Sequence, residues 1–357
     1  MSEVRAKKAL GQHFLVDLNI ARKICDALSG GVRPEAGAET RAVAAGSADA
    51  DAETRTRVAG YAGAGAEAQT MAAGSADAGA ETRANAAGYA GAGAETRNGD
   101  GAGMAADARL AADTTAAGAP AAEEERGGAV PCDVLEVGCG MGVLTQYLLR
   151  RGDITTYGAE IDPESVGYLH AHFPEFAPRL IEGDFLKMNL RERFPRGLKI
   201  IGNFPYNISS QIFFKVLENR DLVPECVGMI QKEVAVRIAE PPGSKEYGIL
   251  SVLLQAWYDI EYLFTVNETV FNPPPKVKSA VIRLRRNSVG RLGCDEALFV
   301  KVVKASFGQR RKMIRNSLRA VFGDFGGAEH PFFTQRAEQL SVADFVQLTD
   351  WVAANRR

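Results

Sequence analysis

Short apolar runs that each stop at a polar motif constrain this chain more than any other feature. Asp133-Val-Leu-Glu-Val runs into Gly138-Cys-Gly-Met-Gly142, and Thr155-Thr-Tyr-Gly-Ala ends at Glu160. Leu180-Ile181 leads to Glu182-Gly-Asp184, Leu198-Lys-Ile-Ile-Gly ends at Asn203-Phe-Pro-Tyr206, and Val227-Gly-Met-Ile-Gln follows. Helical signals separate them: Leu144, Tyr147 and Leu148 after the glycines, and Asp162-Pro163 opening another helix. Strands alternating with helices predict an α/β fold with an open parallel sheet covered on both faces. Such sheets bind ligands at the carboxyl ends of their strands. The polar motifs fall at those ends.

Two flanking regions read differently. Near the start, Asp17 or Asn19 can cap a short helix carrying Ile20, Ile24 and Leu28. From about residue 286 no strand is evident. Phe299, Val302, Val303, Phe307, Ile314 and Leu318 sit at helical spacings, and Leu340, Phe345 and Leu348 suggest a last helix. A small all-helical C-terminal domain over 287–357 is expected.

Residues 34–129 interrupt the pattern with Ala, Gly, Glu, Asp, Thr and Arg. Near-copies of Gly-Ala-Glu-Thr-Arg begin at 37, 51, 65, 79 and 93, fourteen residues apart. Fourteen is two heptads, but no Leu, Ile or Val occupies a seam in register. A solenoid unit must bury an apolar face, and these units have none. The composition is that of a disordered insertion. The expected divisions are therefore 1–33 (N-terminal motif and first helix), 34–129 (repeat insertion), 130–286 (the sheet domain) and 287–357 (helical).

The insertion also hides the charge of the rest. It holds 15 acidic residues and 7 Arg, a net −8, so a total of −2 leaves +6 for the body. A mildly basic body is compatible with a nucleic-acid partner. No apolar run approaches the roughly 18 residues of a membrane span, and no secretory h-region opens the chain. Five cysteines form no CxxC pair, and His170 and His172 lack a cysteine nearby, so no metal site is expected and a reducing cytoplasm is the simplest compartment.

The strand-end motifs carry chemistry. Gly138, Gly140 and Gly142 let backbone N–H groups approach a ligand closely. A dinucleotide fingerprint needs glycine at 143, where Val143 stands, so a nucleoside cofactor without pyrophosphate fits better. Glu160, about twenty residues on, suits the two hydroxyls of a ribose, and Asp184 can accept from an adenine amino group. Each alone is more often a solvated loop carboxylate or a helix cap; together, at successive strand ends, they point to an adenosyl group. Asn203-Phe-Pro-Tyr206 is the most specific signal. An exocyclic adenine amine is a poor nucleophile because its lone pair is delocalised into the ring. The Asn203 oxygen and the carbonyl before or at Pro205 can accept its hydrogens and aim that lone pair at a sulfonium methyl, while Tyr206 stacks on the base.

At these residues a resemblance becomes close. Lys7-Lys8-Ala-Leu-Gly11-Gln12-His13-Phe14-Leu15 resembles the N-terminal motif of the ribosomal RNA adenine dimethylase family. So does the order LEVGCGMGVLT, AEID, EGDF, GNFPYNISS, QKEVAVRI, FNPPPKVKSAVIRL and FGQRRKMIRNSL, across 1–33 and 130–357. The resemblance implies a Rossmann-like class I methyltransferase that uses S-adenosyl-L-methionine. Its implied reaction is N6,N6-dimethylation of two adjacent adenines in a hairpin loop near the 3′ end of 16S rRNA, performed by a monomer on the immature 30S subunit. By the same resemblance His13, Leu15, Gly138, Glu160, Asp184 and Asn203 would hold the cofactor, with Asn203, Pro205 and Tyr206 catalytic. His13 and Phe204 depart from many relatives, which have Asn and a smaller aliphatic residue there. Lys7, Lys8, Arg310, Arg311, Lys312 and Arg315 are the candidate RNA contacts, positioning phosphates more than reading sequence. The nearest enzyme rival is a resistance methyltransferase acting on large-subunit RNA, against which the GQHFL and FGQRRKMIRNSL segments speak. A non-catalytic assembly factor is the rival from another class.

Overall fold

A capped helix comes first. β1 (Phe14–Leu15) leads into α1 (Leu18–Ala27), where the Asp17 carboxylate accepts from the N–H groups of Asn19 and Ile20 at 2.8 and 3.1 Å. α1 buries Ala21, Ile24 and Cys25. The computed structural model describes Val4, Ala6, Lys7 and residues 10–30, 131–309 and 311–356; the expected disorder of 34–129 falls outside them.

After the insertion the chain alternates: β2 (Cys132–Val137), α2 (Thr145–Leu148), β3 (Ile154–Glu160), α3 (Pro163–His172), β4 (Leu180–Glu182), α4 (Leu190–Arg193), β5 (Lys199–Asn203), α5 (Ser209–Glu218), β6 (Glu225–Gln231), α6 (Lys232–Ala239) and α7 (Ile249–Gln255). Then come β7 (Tyr258–Val266), β8 (Phe271–Asn272) and β9 (Ser279–Arg286), followed by α8 (Glu296–Gly308), α9 (Ile314–Phe322) and α10 (Val342–Asn355). The main sheet has seven strands in the order β4-β3-β2-β5-β6-β9-β7. The five strands expected from sequence are mutually parallel, and strand order reverses about β2, whose neighbours are β3 and β5. That is the switch point at which such sheets bind ligands.

The sheet is mixed where the sequence reading expected it parallel. β9 runs antiparallel to both β6 and β7, and β1 pairs antiparallel with β8 in a separate ribbon. β7 closes one edge of the sheet, so it alternates apolar residues with Asp259 and Glu261 instead of forming an apolar run.

Packing follows from the pleat. Successive strand residues face opposite sides: Val134 and Ile201 join Ile24, Leu148 and Met229 on one face, while Leu135 and Ile200 join Phe213, Val216 and Leu284 on the other. Burying each such side chain contributes about 1.5–3 kcal/mol. The second cluster continues into Phe299, Val303, Phe345 and Leu348 of the helical C-terminal segment, and all the described residues belong to one compact unit.

Candidate active site

The glycine run is a turn whose members serve different ends. Gly138, Gly140 and Gly142 all have positive φ, at 76°, 54° and 76°, which non-glycine residues adopt at a cost. A Cβ on Gly142 would stand 2.5 Å from the Phe173 ring, so this glycine is there for packing. The backbone N–H groups of Gly138 and Gly140 are already engaged, donating to the Ala159 carbonyl and to Glu160 Oε2 at 2.9 and 2.8 Å. The loop therefore grips Glu160 and leaves fewer free donors for a ligand than its composition suggests.

Glu160, at the end of β3, is only 4% exposed. Its other oxygen accepts from the N–H groups of Ile161 and Asp162 at 2.9 and 2.8 Å. Three of a carboxylate's roughly four lone-pair sites are thus filled, leaving about one for a ribose hydroxyl. Burial raises its pKa, against the opposing pull of those backbone hydrogen bonds. Below it, Glu136 is fully buried, held up to about 8 by desolvation, and accepts from Thr145 Oγ1 at 2.6 Å.

One cleft gathers most of the expected cofactor residues. Gly138, Gly140, Glu160, Asp184, Asn203 and His13 all line it, together with Ile161 and Phe185. Asp184 caps the turn after β4, Oδ1 accepting from Leu186 N–H at 2.9 Å; Oδ2, which meets only exposed Lys187 at 4.0 Å, is the oxygen available to a base. Buried carboxylate, apolar walls and a close glycine turn together suit an adenosyl group.

Leu15 departs from expectation. Its side chain is 2% exposed and packs with Ile24, Ile201 and Met229, because neighbours in a strand face opposite ways. Phe14 lines the cleft instead and lies over Gly140, where a Cβ would come within 3.2 Å of its ring. Leu15 can reach a cofactor only through its backbone.

Residues before β1 form a strap along the same cleft, which Leu10, Gly11 and Gln12 also line. Lys7 makes an ion pair with Asp162 and another with Glu164 at 3.0 Å, and Gln12 Nε2 donates to Asp162 at 3.3 Å. Burial alone would raise the Asp162 pKa; its hydrogen bonds from Lys7 and Gln12 carry it below the usual carboxylate range. Lys7, expected among the RNA contacts, is thus ion-paired to the start of α3 while its side chain stays partly exposed. Arg315 likewise pairs with Glu329. Arg311 and Lys312 are exposed, while Lys8 and Arg310 lie outside the described residues.

The loop at the end of β5 has the most informative geometry. Asn203 Nδ2 donates to the His13 carbonyl at 3.0 Å. A carbonyl only accepts, so this bond fixes which end of the amide is the nitrogen. Asn203 Oδ1 takes no hydrogen bond among the described residues. The Pro205 carbonyl accepts from Ile208 N–H at 3.2 Å, whereas the Phe204 carbonyl takes none among the described residues. Of the two carbonyls the sequence left open, the one before the proline is free. Tyr206 is held on two sides: its hydroxyl shares a 2.5 Å hydrogen bond with Ser279, and its ring stacks on His13 at 5.3 Å. The His13 Nδ1 in turn meets the Pro273 carbonyl at 2.9 Å. Ser279 and Pro273 escaped the sequence reading because β8 and β9 were not recognised as strands reaching this edge.

Comparison with known proteins accords with this geometry. Residues 131–354 match the family model described as ribosomal RNA adenine dimethylase. Two proteins named ribosomal RNA small subunit methyltransferase A are similar to the chain. That of Bacteroides thetaiotaomicron is 59% identical over 221 residues, 61% of this chain and 82% of its own length. That of Parabacteroides distasonis is 60% identical over 218 residues, 60% of this chain and 81% of its own. Among solved structures, a dimethyladenosine transferase from Plasmodium falciparum superposes with a TM-score of 0.53 at 25% identity, over 62% of this chain and 90% of that one. With the family model covering well over half of its length, the chain belongs to the ribosomal RNA adenine dimethylase family.

Proposed function

We propose that this protein uses S-adenosyl-L-methionine to dimethylate, at N6, two adjacent adenines in a hairpin loop near the 3′ end of 16S ribosomal RNA. The observation that carries the reading is the free pair of acceptors, Asn203 Oδ1 and the Phe204 carbonyl, on one loop beside the cleft. Gly138, Gly140, Glu160 and Asp184 would hold the cofactor. When bound, the cofactor supplies an electrophilic methyl carbon on a sulfonium. Asn203 Oδ1 and the Phe204 carbonyl would accept hydrogen bonds from the N6–H groups, two in the first transfer and one in the second. They would turn the nitrogen lone pair out of conjugation toward that carbon, which is orientation combined with electrostatic stabilisation. Tyr206, fixed by Ser279 and His13, offers the base a stacking face worth about 1–3 kcal/mol. Water can take the released proton, so no strong base is required. A loop adenine suits such a site because unstacked bases enter at low cost.

Among the described residues no helix is long and apolar enough to cross a membrane. All five thiols are free. The reading places the protein in the cytoplasm, acting as a monomer on the immature 30S subunit. The test is incubation of the purified protein with methyl-labelled cofactor and small-subunit RNA, followed by mass spectrometry of the nucleosides. Dimethyladenine should form. Asn203→Ala should lower kcat at least about a hundredfold, the scale of losing a transition-state hydrogen-bond acceptor, and change cofactor affinity only a few-fold. Labelling at the wild-type rate by that variant would remove the basis of the reading.

A further inference from the structure

Lys7 and Arg315 are ion-paired with carboxylates of the protein, and a further set of cations lies beside the strands that carry the Tyr206–Ser279 contact. They lie where the carboxyl ends of β6 and β7 meet the amino end of β9. Ser279, which holds the Tyr206 hydroxyl, directly follows Lys278, and it pairs with Gln231 in β6 and Val266 in β7. The Lys278 carbonyl accepts from Lys232 N–H at 2.9 Å, so these two lysines leave the backbone side by side. Lys276 lies two residues before, in the segment whose Pro273 carbonyl anchors His13. All three lysines are exposed, and no carboxylate pairs with any of them among the described residues. The neighbouring acid on α6, Glu233, is occupied by Arg237 at 2.8 Å. Lys232 also lines a groove between α6 and β7 whose other wall carries Tyr262 and Thr265, with Glu240 at the C-terminal end of α6 as the one acid in its lining.

We propose that Lys232, Lys276 and Lys278, with the groove beside Tyr262, form a phosphate-binding track for the single-stranded RNA flanking the adenine held at Tyr206. The inference deepens the functional reading above and rests on it for the placement of the base. Lysines act as point charges on phosphates without reading sequence, so the track would fix how far the strand is drawn in. A groove with an aromatic side wall and unpaired cations is the usual makeup of a single-strand channel.

The test compares the full-length protein with its triple variant Lys232→Gln, Lys276→Gln, Lys278→Gln. The probe is a transcript of the 3′ hairpin of small-subunit ribosomal RNA, bound over a range of salt. Three lost phosphate contacts on single-stranded RNA should reduce the slope of log affinity against log salt by about 2. At moderate salt the RNA KM should rise about tenfold, with kcat at saturating RNA moving much less. The charge-retaining triple Lys→Arg variant should restore both. Should the triple Gln variant fail to fold, Lys276→Gln and Lys278→Gln singly should each reduce the slope by roughly 0.7. An unchanged slope and an unchanged RNA KM would overturn the track. A wild-type protein that binds this RNA with the expected slope difference, yet transfers no methyl group to immature 30S subunits, would leave the track standing and sink the enzymatic reading instead.

Discussion

Phe204 occupies space that two glycines leave empty. Its ring is 1% exposed and packs edge-on against Phe213 at 5.8 Å. A Cβ on Gly202 would come within 2.8 Å of that ring, and one on Gly228 within 2.5 Å. The large residue at this position therefore points into the core, away from the base, and it is the glycines that make it tolerable. Gly228→Ala should destabilise the fold by about 1–3 kcal/mol through overpacking and should lower kcat, since Phe204 carries the free carbonyl. Adding Phe204→Leu should recover a large part of both losses in a double-mutant cycle of urea midpoints and turnover. Independent, additive effects would show that the ring and the glycines do not share the space.

The strap before β1 is held at the start of α3, by Asp162 and Glu164. Asp162 is the N-cap of α3, accepting from Glu164 N–H at 3.3 Å, and it also receives Lys7 and Gln12. Asp162→Asn keeps a competent cap and removes the charge that draws Lys7 in. Its cofactor Kd should rise several-fold with little change in melting temperature. Asp162→Ala should raise Kd at least as much and also lose about 1 kcal/mol for the missing cap. Isothermal titration with the cofactor separates these outcomes, and equal Kd values for wild type and both variants would deny the strap any role in binding. The contrast between strap and sheet also explains what was legible beforehand. β2, β3 and β5 announce themselves because a strand buried on both faces reads as a continuous apolar run that must stop where polar chemistry begins. β9 and β7 carry Arg283, Arg285, Asp259 and Glu261 at alternate positions, a period-two pattern weaker than an apolar run that the sequence reading passed over, whereas β1 and β8 span two residues each and carry no period. Glu160, Asp184 and Asn203 were legible because they end strands. The ion pairs of Lys7, the inward turn of Leu15 and the roles of Ser279 and Pro273 depend on long-range pairing, which local pattern does not encode.

Across the whole molecule, the two ends of the sheet have different tasks. The ligand end stores a proton: Glu136 keeps its own to about pH 8, mainly through burial, whereas an unfolded glutamate releases it near 4.5. Between those values the folded chain binds more protons than the unfolded one, so stability falls as pH rises through that window. Glu136→Gln removes the dependence, and its advantage over wild type in denaturant midpoint should grow from pH 5 to pH 8, reaching on the order of 3 kcal/mol; a constant difference would place the proton elsewhere. The opposite end fastens the chain where the insertion leaves it. Arg151 donates to the carbonyls of Cys25, Leu28 and Ser29, and Lys199 to those of Ser29 and Gly30. Glu225, 2% exposed, pairs with Lys199 at 3.1 Å and accepts from Ser29 N–H. Lys199 begins β5 and pairs in register with Val134 near the start of β2, so the chain departs at Gly30 and re-enters at Cys132 on the same edge, remote from Glu160 and Asn203. Deleting residues 36–128 should accordingly leave cofactor Kd within a few-fold and turnover nearly unchanged. For the disordered connection that the composition of 34–129 predicts, shortening by an order of magnitude should add about 2 kcal/mol of stability, seen as a higher urea midpoint. A deletion variant that folds with that gain but loses most of its turnover would mean that the repeats reach the substrate, and the fastening of Gly30 would then serve to aim them.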